Sequence, residues 1–319
     1  MARLDLLSQR LYHQHITGAP LETPGDVVRW LGGVQSQDYP GAKWSLGQRA
    51  RDASDSEVDQ AFARGEILRT HVLRPTWHFV APADIRWMLE LTAPHVHALN
   101  AYSYRKCELD QAVLGRSQAV LARALEGGRQ LTRPELATAL RQAGIVAQGQ
   151  RLAYIMMKAE LDGLVCSGAL RGKQHTYALL EERVPRSRAR SRDEALAELA
   201  LRFFTGHAPA TLQHFGWWSG LSAKAARAGL AMIQQQLPSR LLDGTQWFGL
   251  SERAPRRGPP TAHLLPEYDE ALVGYRDLGV SDMPRARRRK PRKGGFHRPV
   301  IIGGKRAGTW RRTIARGTA

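Results

Sequence analysis

The chain has 319 residues, 43% of them hydrophobic, enough to bury a sizeable core and to build two or three modules of about 100 residues each. No apolar run approaches the ~20 residues that cross a bilayer, the opening Met1-Ala2-Arg3-Leu4-Asp5 lacks a signal-peptide core, and Cys107 and Cys166 form neither a CxxC pattern nor a disulfide framework. Forty-seven Lys+Arg against 29 Asp+Glu give a net charge of +18, and the 13 cations from Met283 onward meet no acid, which leaves +5 for residues 1–282. Such a chain is expected to be cytoplasmic and to meet a polyanion through counterion release from phosphates; an arginine-biased composition with a solvated tail is the plainer alternative.

Leu4, Leu7 and Leu11 recur at helical spacing across residues 3–15. Further helices are predicted over 24–33, Ala42–Ala50 and Asp55–Arg64. Two β-rich runs, Ile67–Leu73 and Pro75–Val80, are separated by little more than Arg74, and helices followed by such a ribbon make a winged-helix pattern. Helices over Asp84–Leu91 and Pro94–Arg105 follow.

In the middle third, a helix over Ser117–Glu126 ends at Gly127-Gly128, and Thr132-Arg133-Pro134-Glu135 is a capping box opening a helix to Gln142. A third helix spans Gln150–Leu161, and strands at 164–168 and 174–179 bracket the basic tip Arg171-Gly172-Lys173. This is a winged helix-turn-helix, serving either as a DNA reader or as a spacer, because its third helix offers few cations beyond Arg151 and Lys158.

Pro185–Arg192 reads as a basic, solvent-exposed linker. Helices are predicted over Asp193–Thr205, over Thr211–Gly216 leading into Trp217-Trp218, and over Ala225–Gln235 with Ser222 as cap. Strands follow at Trp247–Leu250, Ala262–Leu265 and Pro299–Ile302, and Gly303-Gly304 is a two-residue hairpin signal before Lys305–Trp310. The predicted fold class is mainly α with small β-ribbons (α+β): three tandem winged helix-turn-helix modules over 1–115, 116–184 and 193–319, with the linker at 185–192.

No metal site is expected, since His13/His15 and His95/His97 diverge on helices and have no Cys neighbour. Gly303-Gly304-Lys305 lacks the rest of a phosphate-binding loop. His71 and His78 read either as packed ribbon residues or as site residues, and Arg74, Trp77 and His78 either contact a nucleic-acid base or close a core. The stretch Gln35-Ser36-Gln37-Asp38 lies between Gly32-Gly33 and Pro40-Gly41, with Pro40 disfavouring helix at Tyr39. Gln35 and Gln37 point the same way only on extended backbone, so they are either a solvated helix end or a converging pair.

Four blocks carry a resemblance: GGVQSQD at 32–38, ILRTHVLRPTWHFVAPADIRWML at 67–89, LLPEYDEALVGYRD at 264–277 and FHRPVIIGGKRAGTWRRT at 296–313. In this order they resemble the winged-helix DNA glycosylases of the AlkZ/YcaQ type, on the AlkZ-like branch with Gln at position 37 rather than Asp. The resemblance runs from the first helix to about Thr313. It implies a concave cradle for double-stranded DNA, hydrolytic release of alkylated purines and unhooking of interstrand crosslinks, with Gln35 and Gln37 as the catalytic pair. It implies a monomeric, nucleoid-associated, monofunctional enzyme without cofactor or metal. The two amides would hold the attacking water through their carbonyl oxygens, with Asp38 as the nearest base and Lys43 as a Schiff-base rival. Arg74, Trp77, His78, Arg171, Lys173, Lys305 and Arg306 are the expected DNA contacts. Family members usually continue beyond Gly-Thr-Trp-Arg-Arg-Thr, and Pro284–Lys293 is unusually arginine-rich, so a shortened third module is expected. The rival reading is a non-catalytic winged-helix DNA-binding protein, a regulator or architectural factor.

Overall fold

In the computed structural model, residues 6–186, 188–250, 261–276 and 298–313 are described. After helix α1 (Leu6–His13), one order of elements recurs: a helix, a very short strand, two helices and a two-stranded ribbon. It is built first from α2 (Pro24–Leu31), β1 (Val34–Gln35), α3 (Tyr39–Gly47), α4 (Asp55–Arg64), β2 (Leu68–His71) and β3 (Trp77–Val80). The long helix α5 (Pro82–Lys106) leads to the second set, α6 (Gln111–Leu125), β4 (Leu131–Thr132), α7 (Arg133–Gln142), α8 (Gly149–Leu161), β5 (Val165–Ser167) and β6 (Thr176–Leu179). Past α9 (Leu180–Arg183), the third set is α10 (Arg192–Gly206), a bridge at Ala210, α11 (Leu212–Ser219), α12 (Ala223–Ile233), β7 (Ser239–Leu242) and β8 (Thr245–Phe248). Each time the short strand pairs antiparallel with the last strand of the ribbon: β1-β3-β2, β4-β6-β5, and Ala210 against Phe248. Finally β9 (Ala262–Leu264), α13 (Glu270–Val273), β10 (Pro299–Ile302) and β11 (Lys305–Thr309) add a sheet of order β11-β10-β9.

Local chemistry accounts for these boundaries. Reciprocal capping boxes start α2 at Thr23, α4 at Ser54, α7 at Thr132, α10 at Ser191 and α11 at Thr211, satisfying amide groups that a helix start leaves unpaired. Gly303 and Gly304 take φ of 55° and 73°, the left-handed pair that a two-residue hairpin needs, and join β10 to β11.

Several predicted elements change. Pro40 opens α3 instead of closing the helix before it, because a proline at the first turn gives up an amide that has no helical partner. The expected break at Pro94 is absent, and α5 runs through it for 25 residues. Pro94 faces solvent while Leu91, Ala93 and Val96 are buried, so packing on both sides outweighs the cost of about 3 kcal/mol for an interior proline. Helix α6 begins at Gln111, ahead of the predicted Ser117, because Asp110 caps it by accepting from the Val113 amide at 2.7 Å. The arginine-rich stretch Pro284–Lys293 lies outside the described residues.

The cores explain what holds the site. A large cluster joins Leu68, Leu73 and Val80 of the first set and Met88 of α5 to Phe203, Phe215 and Trp218 of the third set. The second set keeps its own core around Leu121, Leu136, Ile155 and Val165. Among the described residues no helix is long and apolar enough to cross a membrane.

Candidate active site

Gly32 closes α2 with φ 73°, after which the backbone extends through β1. Val34 and Gln35 pair with Phe79 and His78 of β3. On this extended segment Ser36 faces opposite to its neighbours: its amide donates to Trp77 O at 2.7 Å, and its carbonyl accepts from Arg69 Nε and Nη2 at 3.2 and 3.0 Å. Gln35 turns to the β2–β3 turn and Gln37 to the start of β3. Gln35 Oε1 accepts from Arg74 Nη2 at 3.1 Å, and Gln37 Oε1 lies 3.5 Å from the Trp77 amide, a long contact. Gln35 is 7% exposed whereas Gln37 is open to solvent. One of the two carbonyl oxygens expected to hold water is therefore engaged by a guanidinium.

A carboxylate from the distant C-terminal part completes the site. Glu270, at the start of α13, accepts the Gln35 amide at 2.8 Å. Its other oxygen accepts from Trp218 Nε1 at 3.1 Å and lies 3.3 Å from His207 Nε2. Burial opposes ionisation of Glu270, but the His207 hydrogen bond and the nearby Arg74 charge outweigh it, so the carboxyl is held below its ordinary value. The next aromatic, Trp217, is half exposed, lies 5.9 Å from Arg74 Cζ, and donates to Val273 O at 3.1 Å. Sequence reasoning singled out neither Glu270 nor Trp217. Glu270 follows Asp269 at the start of the apolar run Ala271-Leu272-Val273, where an acid reads as an ordinary first helical turn, so the sequence carried no separate signal for it.

Other expected site residues are dispersed. His78 is fully buried, with Nδ1–H donating to Thr76 O at 2.9 Å, so it does not present itself to DNA as expected. Trp77 is partly buried; its ring stacks 4.4 Å under Arg69 Cζ and its Nε1 donates to Glu160 at 3.2 Å. Glu160 also pairs with buried His71, which is a packing residue. Beside Trp77 a cleft of about 270 Å³ is lined by Arg69, Thr132, Arg133, His175 and Tyr177. A cleft of about 330 Å³ between α5 and α8, lined by Arg86, His97 and Asp162, touches neither glutamine. Arg171 and Lys173 are exposed on the β5–β6 ribbon, Arg171 already bound to Glu135 at 2.7 Å. Lys305 and Arg306 stand on β11, opposite Ile302 and Ile301.

Two rival chemistries are weakened. Lys43 Nζ lies 2.9 Å from Asp55 and 2.7 Å from Asp59. Burial would lower its pKa, but those hydrogen bonds and charges outweigh it and hold it above the ordinary lysine value, the opposite of a Schiff-base nucleophile. Asp38 precedes α3 without a side-chain capping bond, its carboxylate 3.6 Å from Arg298, and a methyl group on Gly41 would meet its Oδ2.

The C-terminal sheet abuts this side of the molecule: Trp44 Nε1 of α3 donates to Leu264 O, Trp310 Nε1 to Leu265 O, each within 2.8 Å, and the two rings lie 5.7 Å apart.

Comparison with known proteins bears on the fold and the family. The structure of a DNA glycosylase, AlkZ, from Streptomyces sahachiroi superposes with a TM-score of 0.79 at 23% identity, covering 98% of this chain and 88% of that one. An interstrand DNA cross-link repair glycosylase from Streptomyces sahachiroi is 25% identical over 330 residues, 96% of this chain and 86% of the relative. The family described as "DNA glycosylase AlkZ-like" matches residues 28–319. This chain belongs to the AlkZ-like DNA glycosylase family.

Proposed function

We propose that the protein hydrolyses the N-glycosidic bond of cationic N7-alkylated purines in double-stranded DNA, with Gln35 and Gln37 as the catalytic pair. The observation that carries this reading is that both glutamines lie against the same strand pair, Gln35 on Arg74 in the β2–β3 turn and Gln37 beside the Trp77 amide at the start of β3. An alkylated purine already bears positive charge and leaves with little acid help. What remains is to place a water at a sugar carbon of oxocarbenium character, which two neutral amides do by hydrogen bonding. They abstract protons poorly, so activity is restricted to cationic lesions.

The recurring order of elements fits three winged-helix modules over 1–115, 116–184 and 193–319 joined by a basic linker at 185–192, working as a monomer in the cytoplasm. In the winged-helix reading β1 is the short strand ahead of the second helix, which places the glutamines on the fold's rigid frame. The charge of +18, together with Arg171 and Lys173 on one ribbon and Lys305 and Arg306 on the C-terminal hairpin, suits a DNA cradle. A relative named for cross-link repair extends the candidate substrates to interstrand crosslinks.

The test is release of 7-methylguanine from alkylated duplex DNA. Wild type releases it, and Gln37→Ala lowers the rate by about 100-fold, the scale of one lost transition-state contact. Equal release by the two proteins would remove the assigned role; no release by wild type would favour a non-catalytic DNA-binding protein.

A further inference from the structure

Arg74 has five N–H donors and no acceptor, so its contact fixes which way the Gln35 amide faces. With Oε1 bound to Arg74 Nη2 at 3.1 Å, the amide nitrogen lies on the other side of Cδ. Among the described residues Gln35 Nε2 has no protein partner, and unlike Arg74 Nε it is not sealed from solvent. Gln37 is held differently: its Oε1 meets the Trp77 amide only at 3.5 Å, a contact that an incoming water readily replaces. The backbone under Gln35 is itself fixed, since its amide donates to Glu270, which Trp218 and His207 hold in turn.

The geometry points to a division of labour set by Arg74: Gln35 acts as the hydrogen-bond donor of the pair and Gln37 as its acceptor, with Arg74 and Glu270 as positioning residues. This rests on the glycosylase reading above. A water between the amides accepts from Gln35 Nε2, donates to Gln37 Oε1 and keeps one lone pair for the sugar C1′. As its oxygen bonds to C1′, the C1′–N9 bond breaks, the electron pair neutralises the departing alkylpurine cation, and the water's proton passes to solvent. The Glu270 carboxylate, within electrostatic reach of Arg74, offsets the guanidinium charge, so the cationic sugar is not repelled.

The charged and titratable neighbours are Arg74, Glu270 and His78 at position 35, and Arg69 and Asp38 at position 37, with Arg298 and Tyr268 reaching Asp38 from the C-terminal part. The experiment measures single-turnover 7-methylguanine release between about pH 5 and about pH 8 for Gln35→Glu, Gln37→Glu, Arg74→Met and Arg74→Lys, with thermal unfolding as the folding control. Glu at 37 keeps an acceptor, so the rate rises with pH as the carboxyl ionises. Glu at 35 keeps the Arg74 contact but loses the donor; its rate falls about 100-fold at neutral pH and recovers only as acid restores an O–H. Arg74→Met lowers the rate about 30-fold at unchanged DNA affinity, and Arg74→Lys restores part of it. Parallel pH slopes in the two glutamate variants, or loss of DNA affinity at an unchanged rate for Arg74→Met, would overturn the assignment alone. If Gln35→Ala and Gln37→Ala both match an active wild type, the catalytic pair falls and takes this assignment with it, whereas no release by wild type removes the glycosylase reading itself.

Discussion

His78 stands across the strand pair from Gln35 and has no exposed surface. Burial, with the nearby Arg74 charge, pushes its imidazole down to about 3. An unfolded chain protonates the same ring near pH 6.5, so between these two values acid favours the unfolded state. Stability is whole above about pH 6.5 and drains as pH falls toward about 3; by about pH 5 one such ring has cost about 2 kcal/mol. Urea midpoints taken at neutral pH and near pH 5 check this, and a flat profile over that range would contradict a neutral buried ring. The sequence left His78 open between packing and recognition. It contained the ring but not the environment, because the burial that sets its protonation comes from tertiary packing, and the charges that modulate it arrive from Arg74 in the turn and Glu270 far along the chain.

At the scale of elements, the β2–β3 turn sets the site, and its conformation is costly. Leu73 takes φ 64°, a left-handed value rare for a large side chain, immediately before Arg74. Gly220, the left-handed cap of α11, lies against it so closely that an added Cβ would overlap the Leu73 carbonyl oxygen. Gly220→Ala therefore destabilises the protein by about 2 kcal/mol or more, through its own φ of 67° and through that overlap. Because Arg74 follows the displaced carbonyl, base release should slow beyond what the fall in melting temperature explains; unfolding and single-turnover rates measured together separate the two. The neighbouring elements were unevenly legible. The capping box at Thr132, the helix start at Asp55 and the Gly303-Gly304 hairpin are written in short-range patterns and appear as read. Two-residue β1 is too short for any periodicity, and its pairing with β3 comes from tertiary contact. The pair Gln35 and Gln37 was visible as a candidate because extended backbone aligns alternate residues, but the donor that orients Gln35 was expected to contact DNA instead.

Across the whole molecule, the C-terminal part is pinned to the first quarter of the chain by a fully buried ion pair. Arg49 at the end of α3 meets Asp269 with two parallel bonds, 2.7 Å from Nη2 to Oδ1 and 2.9 Å from Nη1 to Oδ2. Neither side chain has exposed surface; Arg49 Nε has no hydrogen-bond partner, but Ser45 Oγ donates to Asp269 at 2.7 Å, Gln14 Oε1 accepts from Arg49 at 2.8 Å, and Gln14 Nε2 donates to Tyr275 at 3.1 Å. A buried pair of this kind adds little net stability over an apolar replacement, whereas removing one partner strands the other charge. Arg49→Met should therefore cost about 3–5 kcal/mol by chemical denaturation, and adding Asp269→Asn, which keeps an oxygen for the Ala271 amide, should return about 2 kcal/mol or more of it. Losses that simply add would mean that the two residues act independently and that something else locks the C-terminal sheet in place. Since Asp269 immediately precedes Glu270, the single variant should also slow base release and the double variant regain part of it, because the same clamp that orders the chain carries the carboxylate to Gln35.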